Sequence, residues 1–411
     1  MSDTPEPTTT RRTTGDREFM LLVTALMATT ALGIDLMLPA FPDIRSEFGM
    51  PADSTKVAWI LTAYFLGMAV GPWCFGPASD RFGRRAPLRA GLVLYGAASI
   101  VAALAPSWPL VVASRFLWGI GASGPRSLSI AMVRDRHEGD SMARLMSMIM
   151  AVFLLVPIAA PAIGAGLIAV LPWRAVFWFP AVVSVALLVW VRRLPETLSH
   201  ERRRPFTFRA VALAGKEVVT HRQAMMLTLA MMFLFGIMNT YLAGSEVLLG
   251  DVFGYGEWFP LYFGAIAVAL AANSLSNSRR VQRLGLNRLI RRTALVGAVS
   301  SCALAVVSYT NGGHPNFWVF TAVLTLTVPM AQGLSPLCNT AAMTPLPHVA
   351  GTASAIIATV TTAGGALLGT LSNDAFDGTA GPFGLHMAIY LGIAGLFVAL
   401  GTTGRTADTA H

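Results

Sequence analysis

Apolar residues run in twelve long stretches along the 411-residue chain, at about 19–41, 56–76, 87–105, 108–133, 145–170, 174–193, 224–248, 258–276, 291–310, 316–340, 350–371 and 385–403. An α-helix rises 1.5 Å per residue and a bilayer core is about 30 Å thick, so about 20 residues cross it. The pattern therefore predicts an all-α membrane protein with twelve transmembrane helices. The head, Met1 to Glu18, is polar, and the apolar run after it is too long for a signal peptide and lacks a small-residue cleavage site. The first stretch is expected to remain as a span.

The longest internal hydrophilic segment, Arg192 to Arg222, divides the stretches into six and six. Parallel repeats of six helices joined by a basic loop are a transporter pattern. The expected division is an amino-terminal tail over 1–18, a six-helix bundle over 19–193, a linker over 194–223, a second bundle over 224–403 and a tail over 404–411. A trace of the repeat survives after the second and eighth stretches. Gly76 to Arg85 and Asn277 to Gly285 both place arginines and a turn glycine where a helix leaves the membrane.

Composition agrees: 54% hydrophobic, 12% charged and 38 Gly, with a mean hydropathy of +0.60. A soluble domain of this size would need more charge on its surface. The net charge of +9 raises nucleic acid as a partner, and charge placement answers it. With the amino terminus inside, 25 of the 30 Lys and Arg fall in cytoplasmic segments; Arg45, Lys56 and Arg174 lie opposite, and Arg115 and Arg126 lie within a span. That bias places both termini in the cytoplasm and disfavours a nucleic-acid face, which would cluster its basic residues. The 28 Arg against 2 Lys fit a bacterium of high genomic GC content, hence its cytoplasmic membrane.

The loop Gly76-x-x-x-Asp80-Arg81-x-Gly83-Arg84-Arg85 resembles the signature loop of the major facilitator superfamily. Gly83 permits a tight turn, Asp80 can accept from arginine or a helix amino terminus, and Arg84 and Arg85 are expected at anionic headgroups. The resemblance implies that this loop latches the two halves when the protein faces outward. Asp35-Leu-Met-Leu-Pro39-Ala-Phe-Pro42 and Arg115-Phe-x-x-Gly119 are similar to the Bcr/CflA branch of twelve-span drug:proton antiporters. Pro157-x-x-Ala160-Pro161-x-x-Gly164 is similar to that group's antiporter motif, with Ala160 where many members have glycine. The resemblance implies proton-driven efflux through two six-helix bundles, working as a monomer without a cofactor.

Asp35 is the clearest acid deep in an apolar run. An ionised group there costs at least roughly 2.5–3.5 kcal/mol unless it is paired, hydrated or protonated. Counted from the predicted outer ends, Asp35 and Arg115 lie roughly 8 and 10 Å deep. They are therefore the expected proton-coupling pair, with a purely structural helix clamp as the alternative. Arg126 lies about three turns beyond Arg115 on nearly the same face, either lining the inner path or snorkelling to the interface. Glu246 is expected at the outer rim. Tyr64, Trp118, Phe153, Asn239, Tyr241, Gln332 and Asn339 are further cavity candidates, since aromatic walls with a few amides suit an amphipathic ligand.

Gly119-Ile-Gly-Ala-Ser-Gly124 fits a nucleotide-loop pattern, but no strand precedes it, so close helix packing is expected. The seven histidines show no metal-ligand spacing, and no catalytic constellation stands out. The chain reads as a non-enzyme that moves a small lipophilic or amphipathic compound outward against protons. A proton-coupled metabolite carrier is the alternative within transport, and a non-transporting membrane sensor is the alternative outside it.

Overall fold

The computed structural model describes residues 15–137, 139–198 and 208–402. Its helices are α1 (Asp16–Asp35), α2 (Phe41–Glu47), α3 (Trp59–Phe82), α4 (Arg85–Leu104), α5 (Trp108–Arg136), α6 (Gly139–Val170), α7 (Ala175–Val191), α8 (Phe208–Thr220), α9 (Arg222–Val247), α10 (Phe259–Leu284), α11 (Leu286–Ser308), α12 (Phe317–Met343), α13 (Ala350–Asp374) and α14 (Gly381–Thr402). Twelve of them correspond to the twelve apolar stretches. The other two are α2, which prolongs the first span, and α8, an amphipathic helix between the halves.

By length and hydropathy, nine spans qualify among the described residues, and Leu155–Val170 with Ala175–Val191 qualify together as a pair bent by 118°. The helix outside that set is α5, whose four arginines, Asp135 and run of Gly and Ser lower its hydropathy. It packs along α1, α3 and α4 inside its bundle, where neighbouring helices take the place of lipid.

The first bundle is α1 and α3 to α7, and the second is α9 to α14. Within the first, α5 packs on α1, α3 and α4, and α4 packs on α7; within the second, α9 packs on α12, α13 and α14, and α11 packs on α12 and α14. The bundles meet along α3 with α13 and α6 with α10. These pairs join the second helix of one half to the fifth of the other, as a two-fold relation between repeats requires. Both repeat traces close on a left-handed glycine: Gly83 at φ 87° ends α3, and Gly285 at φ 75° ends α10.

Close approach explains the glycine run in α5. A Cβ at Gly119 would lie 2.0 Å from the Tyr64 carbonyl oxygen, and one at Gly121 would lie 2.5 Å from the Tyr95 amide nitrogen. Small residues let the backbones of α3, α4 and α5 touch, which is how helices gain packing energy in a membrane.

The first span departs from expectation. It runs from Arg17 to Glu47 and breaks after Asp35 at a turn containing Pro39. Proline has no amide hydrogen to give to the carbonyl four residues back, here that of Asp35. The apolar pattern suggested an end near residue 41, but α2 resumes the helix, so Asp35 lies deeper than the count from Ala40 implied.

Candidate functional site

Arg115 organises the centre of the first bundle. Its side chain is fully buried; Nε donates to the Ile60 carbonyl at 3.1 Å and Nη2 donates to the Gly33 carbonyl at 2.8 Å. The guanidinium carbon lies 4.3 Å from the Tyr64 ring centroid and 4.5 Å from that of Trp118. Carbonyl dipoles and ring faces thus stand in for a counter-ion. Tyr64 Oη in turn donates to the Thr30 carbonyl at 3.1 Å.

The expected Asp35–Arg115 ion pair is not formed. The layer was right, since Arg115 bonds to Gly33, two residues from Asp35, but the bearing was not. Two residues along a helix turn it by about 200°, so with Gly33 facing α5 the side chain of Asp35 leaves on the far side. Asp35 is 4% exposed, and no hydrogen bond or ion pair reaches it. It lies within electrostatic range of Tyr64 from the first bundle and Tyr241 from the second. Gly164 of α6 packs beside it: a Cβ there would stand 2.1 Å from the Leu36 carbonyl oxygen.

At the face opposite the termini an ion pair joins the bundles. Arg45 of α2 donates to both carboxylate oxygens of Glu246 on α9, at 3.0 and 2.7 Å, with side chains 5% and 10% exposed. Glu246 is therefore a buried acid paired across the bundles, not an exposed rim acid, because α2 carries Arg45 inward. A cavity of about 710 Å³ beside the pair is lined by Pro39, Arg45, Ile168, Glu246, Asp251 and Glu257, among others. Further into the fold, Thr62 and Thr370 hydroxyls bond across the bundles at 2.7 Å, and Phe65 meets Phe235 edge-on at 5.0 Å. Trp73 donates to Thr359 at 2.8 Å, and Thr359 donates to the Ala69 carbonyl at 2.8 Å.

The remaining cavity candidates separate by what they touch. Trp118 is buried within the first bundle among Tyr64, Tyr95 and Phe177, so it is core. Asn239 donates to the Ala366 carbonyl at 2.8 Å and Gln332 donates to that of Leu234 at 3.2 Å, tying α9 to α13 and α12. Tyr241 is buried and stacked on Phe263 at 5.4 Å. Asn339 is exposed. Arg126 is exposed as well, from a position deep in the fold. The Phe153 side chain lies outside the described residues. Of the motif in α6, Pro157, Pro161 and Gly164 all fall within the helix.

The signature loop binds its own bundle. Arg84 is buried and donates to Asp135 at 2.8 Å, Asp80 at 2.9 Å and Ser79 at 2.8 Å. Burial opposes its charge, but the bonds and charges of Asp135 and Asp80 outweigh this and hold its pKa above the ordinary arginine value. Glu196 accepts from the Arg84 and Arg85 amides at 2.7 and 3.2 Å, capping α4 from a distance. Arg85 donates to the Arg192 carbonyl at 3.1 Å, while Arg81 and half of Asp80 face solvent and Gly76 has open space beside it. The expected headgroup role of Arg84 is thus replaced by carboxylate binding, and among the described residues no bond from the loop reaches the second bundle. The bonds that join the bundles lie elsewhere, the Arg45–Glu246 pair among them at the opposite face.

Sequence reasoning missed Arg45, Phe65, Phe235 and the two Thr contacts. Arg45 lies past residue 41, where the apolar stretch was taken to end, and apolar or hydroxyl residues inside a span carry no signal of which helix they meet.

Comparison with known proteins agrees with this architecture. The family model for the Major Facilitator Superfamily matches residues 23–369. Similar relatives include a bicyclomycin resistance protein homolog of Haemophilus influenzae, 28% identical over 89% of this chain and 91% of that one. The multidrug transporter MdfA of Edwardsiella ictaluri is 26% identical over 72% of each. Among solved structures, the xylose transporter XylE from E. coli in a partially occluded inward-open conformation aligns with a TM-score of 0.73 at 15% identity, covering 93% of this chain and 96% of that one. The human organic anion transporter MFSD10 aligns at 0.71 with 20% identity, over 95% and 100%. With the family model spanning both six-helix halves and the helix arrangement matching, the chain belongs to the major facilitator superfamily.

Proposed function

We propose that the protein is a proton-coupled exporter of small lipophilic or amphipathic compounds in a bacterial cytoplasmic membrane, with both termini in the cytoplasm. The observation that carries this reading is Asp35, a carboxyl sequestered at the break of the first span, free of any cation, and in range of both bundles. The resistance and multidrug names of the relatives support the direction and the cargo class.

With the outer face shut by Arg45 and Glu246, an ionised Asp35 has neither bulk water nor a counter-ion, and protonation removes that cost. When the bundles rock and the outer pair separates, water reaches the carboxyl from outside and the cost changes. Proton loading is thereby tied to which face is open. Arg115 holds α1 and α3 to α5 through backbone carbonyls, so it fixes the frame in which Asp35 sits and does not trade charge with it directly.

One proton entering down 100 mV supplies about 2.3 kcal/mol, and each pH unit adds about 1.36 kcal/mol. One coupled proton can therefore sustain a few-hundred-fold gradient of a neutral solute, roughly as the sum of these terms requires.

Everted vesicles test the direction. An imposed inside-acid gradient should drive chloramphenicol into the vesicle lumen, and an uncoupler should abolish the uptake. Accumulation under the opposite gradient would instead indicate import with protons.

A further inference from the structure

Arg126 is a cation facing the interior with nothing to neutralise it. It lies eleven residues after Arg115, about 16 Å along α5 and only about 20° away in bearing, and Tyr64 is in electrostatic range of both. Leu110 and Leu117, about half a turn round the helix from it, are exposed apolar residues on the opposite face of α5, while Ile130, one turn on, is exposed on its own face. The helix continues ten more residues to Arg136, about 15 Å, which puts Arg126 well short of the headgroups. It is nevertheless exposed from a position deep in the fold, as a group opening onto a recess reached from the face that bears the termini would be.

No hydrogen bond or ion pair is made to the Arg126 side chain. The acids around the recess are engaged elsewhere or hidden. Asp80 and Asp135 hold Arg84, Glu196 caps α4, and Glu217 meets His348, while Glu246 holds Arg45 at the far face. Asp35 is buried and in contact with neither arginine. A charge in a recess walled by protein is screened less by salt than one on an open surface. An incoming anionic group would therefore gain a charge-assisted bond that no side chain of the described protein now supplies.

We propose that Arg126 is the docking group for a carboxylate or similar anion on the transported compound, so that the preferred cargo is a lipophilic organic acid or zwitterion rather than a cation. This rests on the transport reading above and narrows it. A positive recess disfavours lipophilic cations, while neutral compounds are bound by the apolar walls alone.

The test compares nalidixate, its neutral ethyl ester and tetraphenylphosphonium, each radiolabelled, on the full-length protein in nanodiscs by equilibrium dialysis. The acid should bind about tenfold tighter than the ester, the scale of one charge-assisted bond, and the phosphonium should bind weakest. Arg126→Gln should erase the acid's advantage and leave the ester unchanged, whereas Arg126→Lys should keep most of it. An advantage that survives Arg126→Gln, or a wild-type protein that prefers the ester or the phosphonium or binds none of the three, overturns the proposal. Proton flux in liposomes is read separately. Flux driven by the ester but not the acid sinks the anion assignment alone, and charge-selective binding without any flux sinks the transport reading alone.

Discussion

Arg45 and Glu246, 201 residues apart in sequence, form a two-point ion pair at 3.0 and 2.7 Å that bolts the first bundle to the second. Both side chains are nearly buried, so the pair has given up most of its hydration and depends on its own geometry. It exists only while this face is closed.

Removing one partner strands the other as a buried charge, which costs about 3–5 kcal/mol where no rearrangement relieves it. Here rocking relieves it, so Glu246→Ala should favour the conformation open at this face. Spin labels on the ends of α2 and α10 should report a longer distance in Glu246→Ala than in wild type. An unchanged distance distribution would show that other contacts hold the gate.

Arg115 should tolerate little. Its two carbonyl bonds are charge-assisted, each of the kind that contributes about 1.5–3 kcal/mol. Arg115→Ala is expected to lower the unfolding temperature of the purified protein and to abolish transport. Arg115→Lys, with a single nitrogen, should recover part of the stability. A variant Arg115→Ala as stable as wild type would contradict the organising role.

Gly119 sets the α3–α5 spacing. A side chain there would meet the Tyr64 carbonyl oxygen at 2.0 Å, against backbone that cannot step aside. Gly119→Leu should force the helices apart, at a cost of about 1–3 kcal/mol or more, and yield poorly dispersed protein on size-exclusion chromatography. At Gly76, which has open space beside it, the substitution Gly76→Ala should leave folding intact in this state. Equal behaviour of the two variants would undo the packing argument.

Much of this fold was legible in the chain for a simple reason: a bilayer demands long apolar helices, and arginine placement sets their ends. The turn glycines Gly83 and Gly285 were readable because a repeated basic loop exposes them. Helix rise suggested neighbouring levels for Asp35 and Arg115, but the count started from the wrong span end, and which way Asp35 points depends on the rotation of α1 about its axis. In a membrane, lipid and protein neighbours are both apolar, so the core position of Trp118 leaves no mark in the pattern. The Arg45–Glu246 contact was illegible because it joins two repeats, and no local rule relates α2 to the end of α9.

In the proposed mechanism Asp35 carries the coupled proton, so substrate-induced proton release from detergent-purified protein should depend on it. Wild type should release protons into weakly buffered solution on adding chloramphenicol. Asp35→Asn, close in size and uncharged, should still bind the compound with similar affinity and release none. Proton release from Asp35→Asn equal to that of wild type would contradict the mechanism.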